Sequence, residues 1–259
     1  MRSGEIQLKC GLLALGLLVG CPGMAMADVK FNFNTIDVPL CPLLPNALCP
    51  RTAVNGNGNN AIVGEFDDTA GNTHGFVLRG GAYTPIDVPG AISGCSIPAH
   101  PAPCYTTVNG INESGRLVGI YQDQAGQFHA FFFSCTAGDL SACSGNSFTT
   151  LDPAGAIYSQ GGFINSQGQV VGSYITSDQK WHGFIWQSGS FISPINVPND
   201  HPELGTVLFG INDRGQIVGS YVDMGPPPQP RTTAFVMAFS GILREISRSS
   251  TRSSIRQPA

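Results

Sequence analysis

The stretch INSQGQVVGSY, from Ile164 to Tyr174, decides the fold because the chain repeats it. Close copies are INESGRLVGIY from Ile111 to Tyr121 and INDRGQIVGSY from Ile211 to Tyr221, and a more divergent copy, VNGNGNNAIVGEF, runs from Val54 to Phe66. A second phrase follows each copy, namely HGF at His74, HAF at His129, HGF at His182 and TAF at Thr233. Recurrence with a period of about 53 residues is typical of propellers, solenoids and other arrays. The sequence therefore predicts four copies of one structural unit.

The third copy, which has the fewest insertions, shows what one unit builds. Asn165 and Gly168 lie in the segment INSQGQ, where the asparagine side chain can cap a turn and glycine accepts a positive φ. Short segments rich in turn formers also follow the next two apolar runs. We therefore predict a four-stranded antiparallel meander. Its strands are Tyr158 to Ile164, Gln169 to Tyr174, Trp181 to Gln187 and Ser190 to Val197.

Both faces of this meander are mostly apolar, because side chains alternate along a strand. In the third strand His182, Phe184 and Trp186 point to one face, while Trp181, Gly183 and Ile185 point to the other. Sheets stacked face to face around an axis cover both faces, as propeller blades do. A glycine that recurs in the second strand indicates a close approach of backbones: Gly64, Gly119, Gly172 and Gly219. We predict an all-β, propeller-like fold of about four blades, each a four-stranded antiparallel meander, with an open stack of repeated sheets as the alternative.

The phrase of the predicted fourth strand occurs again ahead of the first complete unit. It reads YTPIDVPGA from Tyr83, FTTLDPAGA from Phe148 and FISPINVPN from Phe191, and the extra copy, FNTIDVP, begins at Phe33. We predict that this orphan strand completes the last blade of a closed ring, beside the strand from Thr232 to Phe239. The segment from Ile242 to Ile246, which follows that strand directly, competes for the same position.

These phrases, GIN-xx-GQIVG, H-[AG]-F and FxxIDVPGA, resemble those of the HAF family of bacterial extracellular repeat proteins. The resemblance covers nearly all of the chain from Phe31 to Phe239. It implies a secreted or cell-surface bacterial protein with propeller-like blades, and it implies no particular activity. Members often end in a membrane-sorting tail, whereas this chain ends in ILREISRSSTRSSIRQPA.

Residues 1–27 have the three parts of a secretory signal peptide. Arg2 and Lys9 precede an apolar run from Cys10 to Val19, and the small-residue site Ala25-Met26-Ala27 follows it. We predict cleavage after Ala27 and a secreted, extracellular or periplasmic protein. The segment LVGC, ending at Cys21, also resembles a bacterial lipoprotein signal, so lipid anchoring through Cys21 is the alternative. The apolar run is too short to span a bilayer, and we predict no transmembrane segment elsewhere.

The exported part is predicted to be one repeat domain at residues 28–246, followed by a disordered basic tail at residues 247–259. Its units are residues 50–89, 105–153, 158–198 and 205–246. Arginines spaced four residues apart among serines mark the tail region, which is a candidate to contact anionic polymers or lipid headgroups: Arg244, Arg248, Arg252 and Arg256. Charged residues make up only 12% of the chain and its net charge is −4. This balance gives nucleic-acid binding no support.

Six of the eight cysteines lie in the exported part, as three close couples. The couples are Cys41 with Cys49, Cys95 with Cys104, and Cys135 with Cys143. In an oxidising compartment this spacing predicts nearest-neighbour disulfides that staple the longer loops. The absence of a CxxC motif argues against metal binding or redox catalysis.

Two repeated polar positions are candidates for chemistry. His74, His129 and His182 are candidate metal ligands, but each belongs to a different blade and the fourth copy has Thr233 there. We interpret them as structural rings, packed or hydrogen-bonded at the start of a strand. The fourth-strand phrase carries Asp37, Asp87 and Asp152, with Asn196 in the third unit. Because an amide accepts the same hydrogen bonds but carries no charge, we predict turn capping rather than catalysis.

The sequence predicts no catalytic set. Glycoside hydrolysis needs two carboxylates across the scissile bond, and nothing pairs the acids outside the repeated positions: Glu65, Glu113, Glu203, Asp139 and Asp200. We predict that these acids are solvated at the surface. Asp67, Asp68 and Asp123 lack the D-x-D-x-D-G run of a calcium loop. Trp181 and Trp186 point to opposite faces of one strand, so they form no common stacking platform.

We therefore predict a non-catalytic extracellular scaffold that binds a protein or a glycan through loops on one rim, without a cofactor. A secreted carbohydrate-active or other hydrolase on the same scaffold is the alternative. That alternative rests on fold analogy alone.

Overall fold

The computed structural model describes residues 3–6, 31–36, 38, 50–89, 105–134, 148–198, 204–223 and 231–238. Among these residues no helix is long and apolar enough to cross a membrane. Some predicted features lie outside the described residues. They are the cleavage site after Ala27, lipidation at Cys21, the disulfides of Cys41, Cys49, Cys95, Cys104, Cys135 and Cys143, residues 242–259, and the side chains of Asp37, Asp139, Asp200 and Glu203.

The described ranges form strands joined by turns. The strands are β1 (Ser3–Ile6), β2 (Phe31–Asn34), β3 (Arg51–Gly58), β4 (Ala61–Asp67), β5 (Thr73–Arg79), β6 (Ala82–Ile86), β7 (Thr106–Ile111), β8 (Leu117–Gln122), β9 (Phe128–Phe133), β10 (Phe148–Thr150), β11 (Tyr158–Ile164), β12 (Val170–Ile175), β13 (Trp181–Gln187), β14 (Ser190–Ile195), β15 (Thr206–Ile211), β16 (Gln216–Asp223) and β17 (Arg231–Ala238). β3 to β6, β7 to β10 and β11 to β14 make three four-stranded antiparallel sheets in chain order, and β15 to β17 make a three-stranded one.

This architecture confirms the all-β prediction of repeated antiparallel meanders. In the third unit β11 and β13 have the predicted bounds, and β12 and β14 differ from prediction by one or two residues. The predicted turn chemistry is also present, since the Gln169 amide donates to Asn165 Oδ1 at 2.9 Å and Gly168 has a φ of +80°. Gly115 and Gly215 take the same left-handed conformation in the equivalent turns.

The extra copy of the fourth-strand phrase does not pair as predicted. Its strand β2 pairs antiparallel with β1, so that Phe33 lies opposite Gly4. β17 has β16 as its partner within the described residues. The physical reason is that β1 lies in the predicted signal segment and offers a free strand edge, which can pair with any nearby extended segment.

Consecutive sheets pack face to face, with the first strand of each sheet lying over the sheet before it. β7 contacts β3, β4 and β5; β11 contacts β7, β8 and β9; β15 contacts β11, β12 and β13. The sheets form an open stack, not a closed barrel, which agrees with the alternative stated from the sequence. Three apolar cores lie between neighbouring sheets. In the middle core, for example, Val118 and Phe132 of the second sheet pack with Phe184 and Trp186 of the third.

Inside each sheet a glycine of the second strand lies beside a phenylalanine of the third. Gly119 lies opposite Phe131, and a Cβ added to Gly119 would overlap the Thr107 carbonyl oxygen and lie 2.8 Å from the Phe131 ring. The other pairs repeat the arrangement: Gly64 with Phe76, Gly172 with Phe184 and Gly219 with Phe235. The recurring glycine therefore does mark a close approach of backbones, as predicted.

A hydroxyl near the start of the first strand joins each of the second, third and fourth sheets to the unit before it. The Val88 amide donates to Thr106 Oγ1 at 3.5 Å, and the Val197 amide donates to Thr206 Oγ1 at 2.9 Å. Between the second and third sheets the equivalent phrase has a proline, which has no N–H to donate. There the buried Ser159 hydroxyl accepts the Ala130 amide at 2.6 Å and donates to Asp152 Oδ1 at 2.5 Å.

Candidate functional site

Each first strand contains a β-bulge at the same place. The pairing register shifts around Asn55, Asn109, Gly162 and Phe209, one in each of the four repeated sheets. A bulge leaves one residue outside the regular ladder and redirects its side chain. The bulged residue differs in chemistry between the four copies: two amides, a glycine and an aromatic ring.

The four bulges lie along one open cleft of about 360 Å³. First strands of all four repeated sheets contribute to its walls, which are formed by Val54, Asn55, Asn109, Gln160, Gly161, Gly162, Phe163, Leu208 and Phe209. This volume is within the usual range of small-ligand sites, roughly 300–1,000 Å³. Every one of these side chains is uncharged, so the cleft suits a neutral ligand.

Two amides of the cleft are held in place by the neighbouring sheet. Asn55 Nδ2 donates to the Val108 carbonyl at 3.3 Å, and Asn109 Nδ2 donates to the Gly161 carbonyl at 2.7 Å. Each amide thus uses its nitrogen to join consecutive first strands, and its side-chain oxygen remains an acceptor for a ligand. The Tyr158 hydroxyl donates to Gln160 Oε1 at 3.2 Å, which leaves the Gln160 amide nitrogen as a donor.

Two aromatic rings supply the apolar part of the cleft. Phe163 is 40% exposed and Phe209 is 49% exposed, although both are in strands of a well-packed stack. Covering such rings with the apolar face of a ligand is favourable by roughly 25 cal/mol per Å² of surface removed from water. The cleft thus combines two exposed aromatic rings with amide donors and acceptors.

The repeated histidines lie away from this cleft, each held within its own sheet. His74 Nδ1 lies 3.0 Å from Asp87 Oδ1 and its Nε2 lies 3.4 Å from Asp68 Oδ2. His129 repeats this with Asp152 at 2.7 Å and Asp123 at 3.2 Å. Each ring also lies against an aromatic ring of the adjacent strand, as His74 does on Phe66 with centroids 5.1 Å apart.

In the third sheet both partners of the histidine are uncharged. His182 Nδ1 lies 2.8 Å from Asn196 Oδ1, and its Nε2 lies 3.2 Å from Thr176 Oγ1. The structure therefore places the repeated Asp87, Asp152 and Asn196 on histidine nitrogens, a role that the predicted turn capping did not include. A signal for this was present in the sequence, because the third copy changes both histidine partners together.

The turn aspartates serve the backbone as well as the ring. Asp68 Oδ1 accepts the amides of Ala70 and Asn72 at 2.8 Å each, while its second oxygen faces His74. The hydrogen bond with Asp87 raises the pKa of His74 above its usual value, and this effect outweighs the lowering by burial. Burial opposes ionisation of Asp68, but hydrogen bonds from Asn72, His74 and Ala70 prevail and lower its pKa. Within the described ranges no group of three or more His, Cys, Asp or Glu side chains could hold a metal ion.

The prediction that Glu65 is solvated at the surface is wrong. Glu65 is buried at 8% exposure rather than solvated, because Arg51 reaches its carboxylate at 2.5 Å and the Thr107 hydroxyl donates to its other oxygen. Arg51 also binds Asp67 at 2.8 Å, which lowers the pKa of Asp67. Glu65 thus belongs to a structural network with Arg51, Asp67 and Thr107.

The other candidates that the structure describes, Glu113, Trp181 and Trp186, lie in separate contacts. Glu113 accepts the Asn59 amide at 3.4 Å in an exposed hairpin contact. Trp186 packs on Phe132 with ring centroids 4.7 Å apart, whereas Trp181 contacts Tyr158 edge to face at 5.4 Å. The two tryptophans serve different contacts on opposite faces of β13, as their spacing predicted.

The fold and the cleft define a class of protein: an all-β array of repeated meanders whose first strands meet along a shared, uncharged cleft. No protein-family profile and no curated protein matches the chain. Among solved structures, an arginine-to-alanine triple mutant of AofleA from Arthrobotrys oligospora is similar, with 11% identity and a TM-score of 0.31. The match covers 70% of this chain and about half, 55%, of that chain.

Proposed function

We propose that this chain is a secreted bacterial repeat protein of the HAF type that binds a neutral glycan and catalyses no reaction on it. The observation that carries the proposal is the cleft, to which the bulged first strand of every repeated sheet contributes. Its exposed rings, Phe163 and Phe209, suit the apolar face of a sugar. Its amides suit the hydroxyl edge, because an amide offers both donors and acceptors.

The chemistry of the cleft also supports binding rather than hydrolysis. Acid–base hydrolysis of a glycoside needs carboxylates on both sides of the scissile bond, and the side chains described around the cleft are amides and apolar groups. The buried acids Glu65 and Asp68 are engaged elsewhere by Arg51, Thr107, Asn72 and His74.

A screen of neutral oligosaccharides on a glycan array, with the chain beginning at Asp28, tests the proposal. Calorimetry with the best binder then compares the substitutions Phe163→Ala and Phe209→Ala with the wild type. We expect each to weaken binding about tenfold, the equivalent of about 1.4 kcal/mol. Because each ring is about half exposed, we expect the free energy of unfolding to fall by roughly 1–1.5 kcal/mol.

Ile157→Ala is the matched control, because Ile157 is 43% exposed and lies outside the cleft. It should leave the affinity unchanged. A silent array, or equal affinity of all three variants, would contradict the glycan site. Release of a reducing sugar from the bound oligosaccharide would instead show that the protein is an enzyme.

Export from the cytoplasm is part of the proposal and has its own test. Expression in a bacterial host with N-terminal sequencing of the exported protein should find Asp28 as the first residue. A lipidated Cys21 as the first residue would show that the protein is anchored to a membrane by its lipid. Peptide mapping without reduction should find the three neighbouring cysteine couples linked.

A further inference from the structure

Within the described residues the fourth sheet has three strands, whereas each of the other repeated sheets has four. β6, β10 and β14 cover the edges of β5, β9 and β13, whereas β17 has β16 alone as a partner in the described ranges. Two valines on the outward face of this sheet are exposed among the residues that the structure describes. Val236 is 69% exposed, while its counterparts in the other sheets, Val77, Phe132 and Ile185, are 1%, 8% and 1% exposed.

The neighbouring position shows the same contrast. Val218 of β16 is 44% exposed, and its counterparts Val63, Val118 and Val171 are each 0% exposed. These counterparts lie in the apolar cores against the next sheet. At these two positions the fourth sheet therefore has the side chains of an intersheet core, and no described sheet packs on them.

The first sheet carries the complementary feature at the other end of the stack. Val54 lies opposite the second-strand glycine, as Val108 and Leu208 do in their sheets. Val54 is 50% exposed, whereas Val108 and Leu208, which pack on a preceding sheet, are 0% and 1% exposed. The first sheet thus has a face shaped to receive a preceding sheet.

The contacts of Val38 indicate which segment precedes the first sheet. Its amide donates to Thr52 Oγ1 at 3.3 Å, and its side chain is buried at 5% exposure in a cluster with Phe66 and Phe76. The same contact joins Val88 to Thr106 and Val197 to Thr206. In those two cases the valine ends the fourth-strand phrase of the preceding sheet. Val38 therefore occupies, on the first sheet, the position that belongs to the end of a preceding sheet's fourth strand.

We propose that in the exported chain residues 33–36 pair antiparallel with β17 as the missing fourth strand, and that this pairing closes the stack into a ring. The partner of β2 in the structure, β1, lies in the segment predicted to be removed on export, so removal frees β2. If residues 242–246 formed the fourth strand instead, Val38 would not follow a fourth strand, and its contact with Thr52 would differ from those of Val88 and Val197.

The register of the new pair follows from the first and second sheets. Tyr83 lies opposite Leu78 and Thr84 opposite Val77; Phe148 and Thr149 lie in the same way opposite Phe133 and Phe132. Transferred to the fourth sheet, this register places Phe33 opposite Met237 and Asn34 opposite Val236. Closure brings the face with Val218 and Val236 onto the face with Val54, and we expect all three valines to become buried.

Paired cysteine substitutions in the chain beginning at Asp28 test this register. Asn34→Cys with Val236→Cys places two opposed residues roughly 5 Å apart between Cα atoms, within the reach of a disulfide. Asn34→Cys with Val218→Cys is the matched control, because Val218 lies opposite Val236 and one strand further away. Its Cα is therefore roughly 10 Å from residue 34, beyond that reach.

We expect mass mapping without reduction to find the 34–236 link within one chain, in a monomer, and no 34–218 link. Three results would overturn the proposal. A 34–236 link between two chains would show that a second copy donates the strand. A folded double variant without the link, by circular dichroism, would show that β17 stays open. A disulfide between Val236→Cys and Leu243→Cys, formed at wild-type-like stability, would show that residues 242–246 pair with β17 instead.

Discussion

Replacing Gly119 by alanine tests how the inside of each sheet is packed. The added methyl group would overlap the Thr107 carbonyl oxygen and lie 2.8 Å from the Phe131 ring. The carbonyl belongs to a strand held by its hydrogen-bond ladder, and Phe131 is fully buried between the first and second sheets. Neither neighbour can move without disturbing a core. A methyl group forced into such a site costs about 1–3 kcal/mol.

Backbone propensity alone would change the free energy of unfolding in the opposite direction. Glycine inside a strand is less stable than alanine by roughly 0.5–1 kcal/mol where space allows, so alanine should stabilise the chain if the overlap were absent. For a domain of this size 1 kcal/mol corresponds to a change in Tm of roughly 2–4 °C. The predicted cost therefore lowers Tm by about 2–12 °C.

Thermal unfolding followed by circular dichroism measures this change. Thr149→Ala, on the exposed edge strand β10, is the control and should stay within about 0.5 kcal/mol of wild type. Combining Gly119→Ala with Phe131→Leu should cost less than the sum of the two single changes, because the ring contact is removed. A Gly119→Ala protein that melts at or above the wild-type temperature would refute the packing argument.

Other substitutions test other contacts. Phe184→Ala, at a fully buried ring between the second and third sheets, should lower the free energy of unfolding by about 3–5 kcal/mol in calorimetry. Ser159→Ala leaves the Ala130 amide without its acceptor and should cost about 1–3 kcal/mol in urea titrations, while Ser159→Thr keeps the hydroxyl and should cost less. His74→Gln should remove a pH-dependent part of the stability. Asp87 raises the folded pKa of His74, so this part of the stability is present below about pH 6.5 and is lost as the pH rises through the folded pKa. In urea unfolding, the difference in free energy between wild type and His74→Gln should therefore be larger at about pH 5 than at about pH 9. An equal difference at both pH values would contradict this expectation.

The repeat made most of the fold predictable. Each unit contains its own strands, turns and faces, so comparing the copies separated positions needed by every unit, such as Gly119, from variable ones. The turn chemistry of Asn165 and Gly168 is local, and the structure has it where predicted. The strand bounds of the third unit followed from the same local signals.

Three features depended on contacts distant in sequence. The partner of β2 is set by which free edge lies nearby, and every strand edge offers the same donors and acceptors. The contact of His129 with Asp152 joins residues 23 apart and depends on how two strands align. The cleft depends on bulges, and no residue type marks them, since Asn55, Gly162 and Phe209 occupy equivalent bulged positions.

The glycine–phenylalanine contact has a consequence for how such a protein can grow. Both partners belong to the same sheet, as Gly172 and Phe184 do, so a duplicated gene segment carries the complete contact with it. Between sheets, by contrast, the fit needs one hydroxyl and an apolar face, which Val77, Phe132 and Ile185 satisfy with different shapes. Units can therefore be added by duplication, and the side chains that face neighbouring sheets can then change in sequence. The bulged residues of the cleft can change independently in each copy.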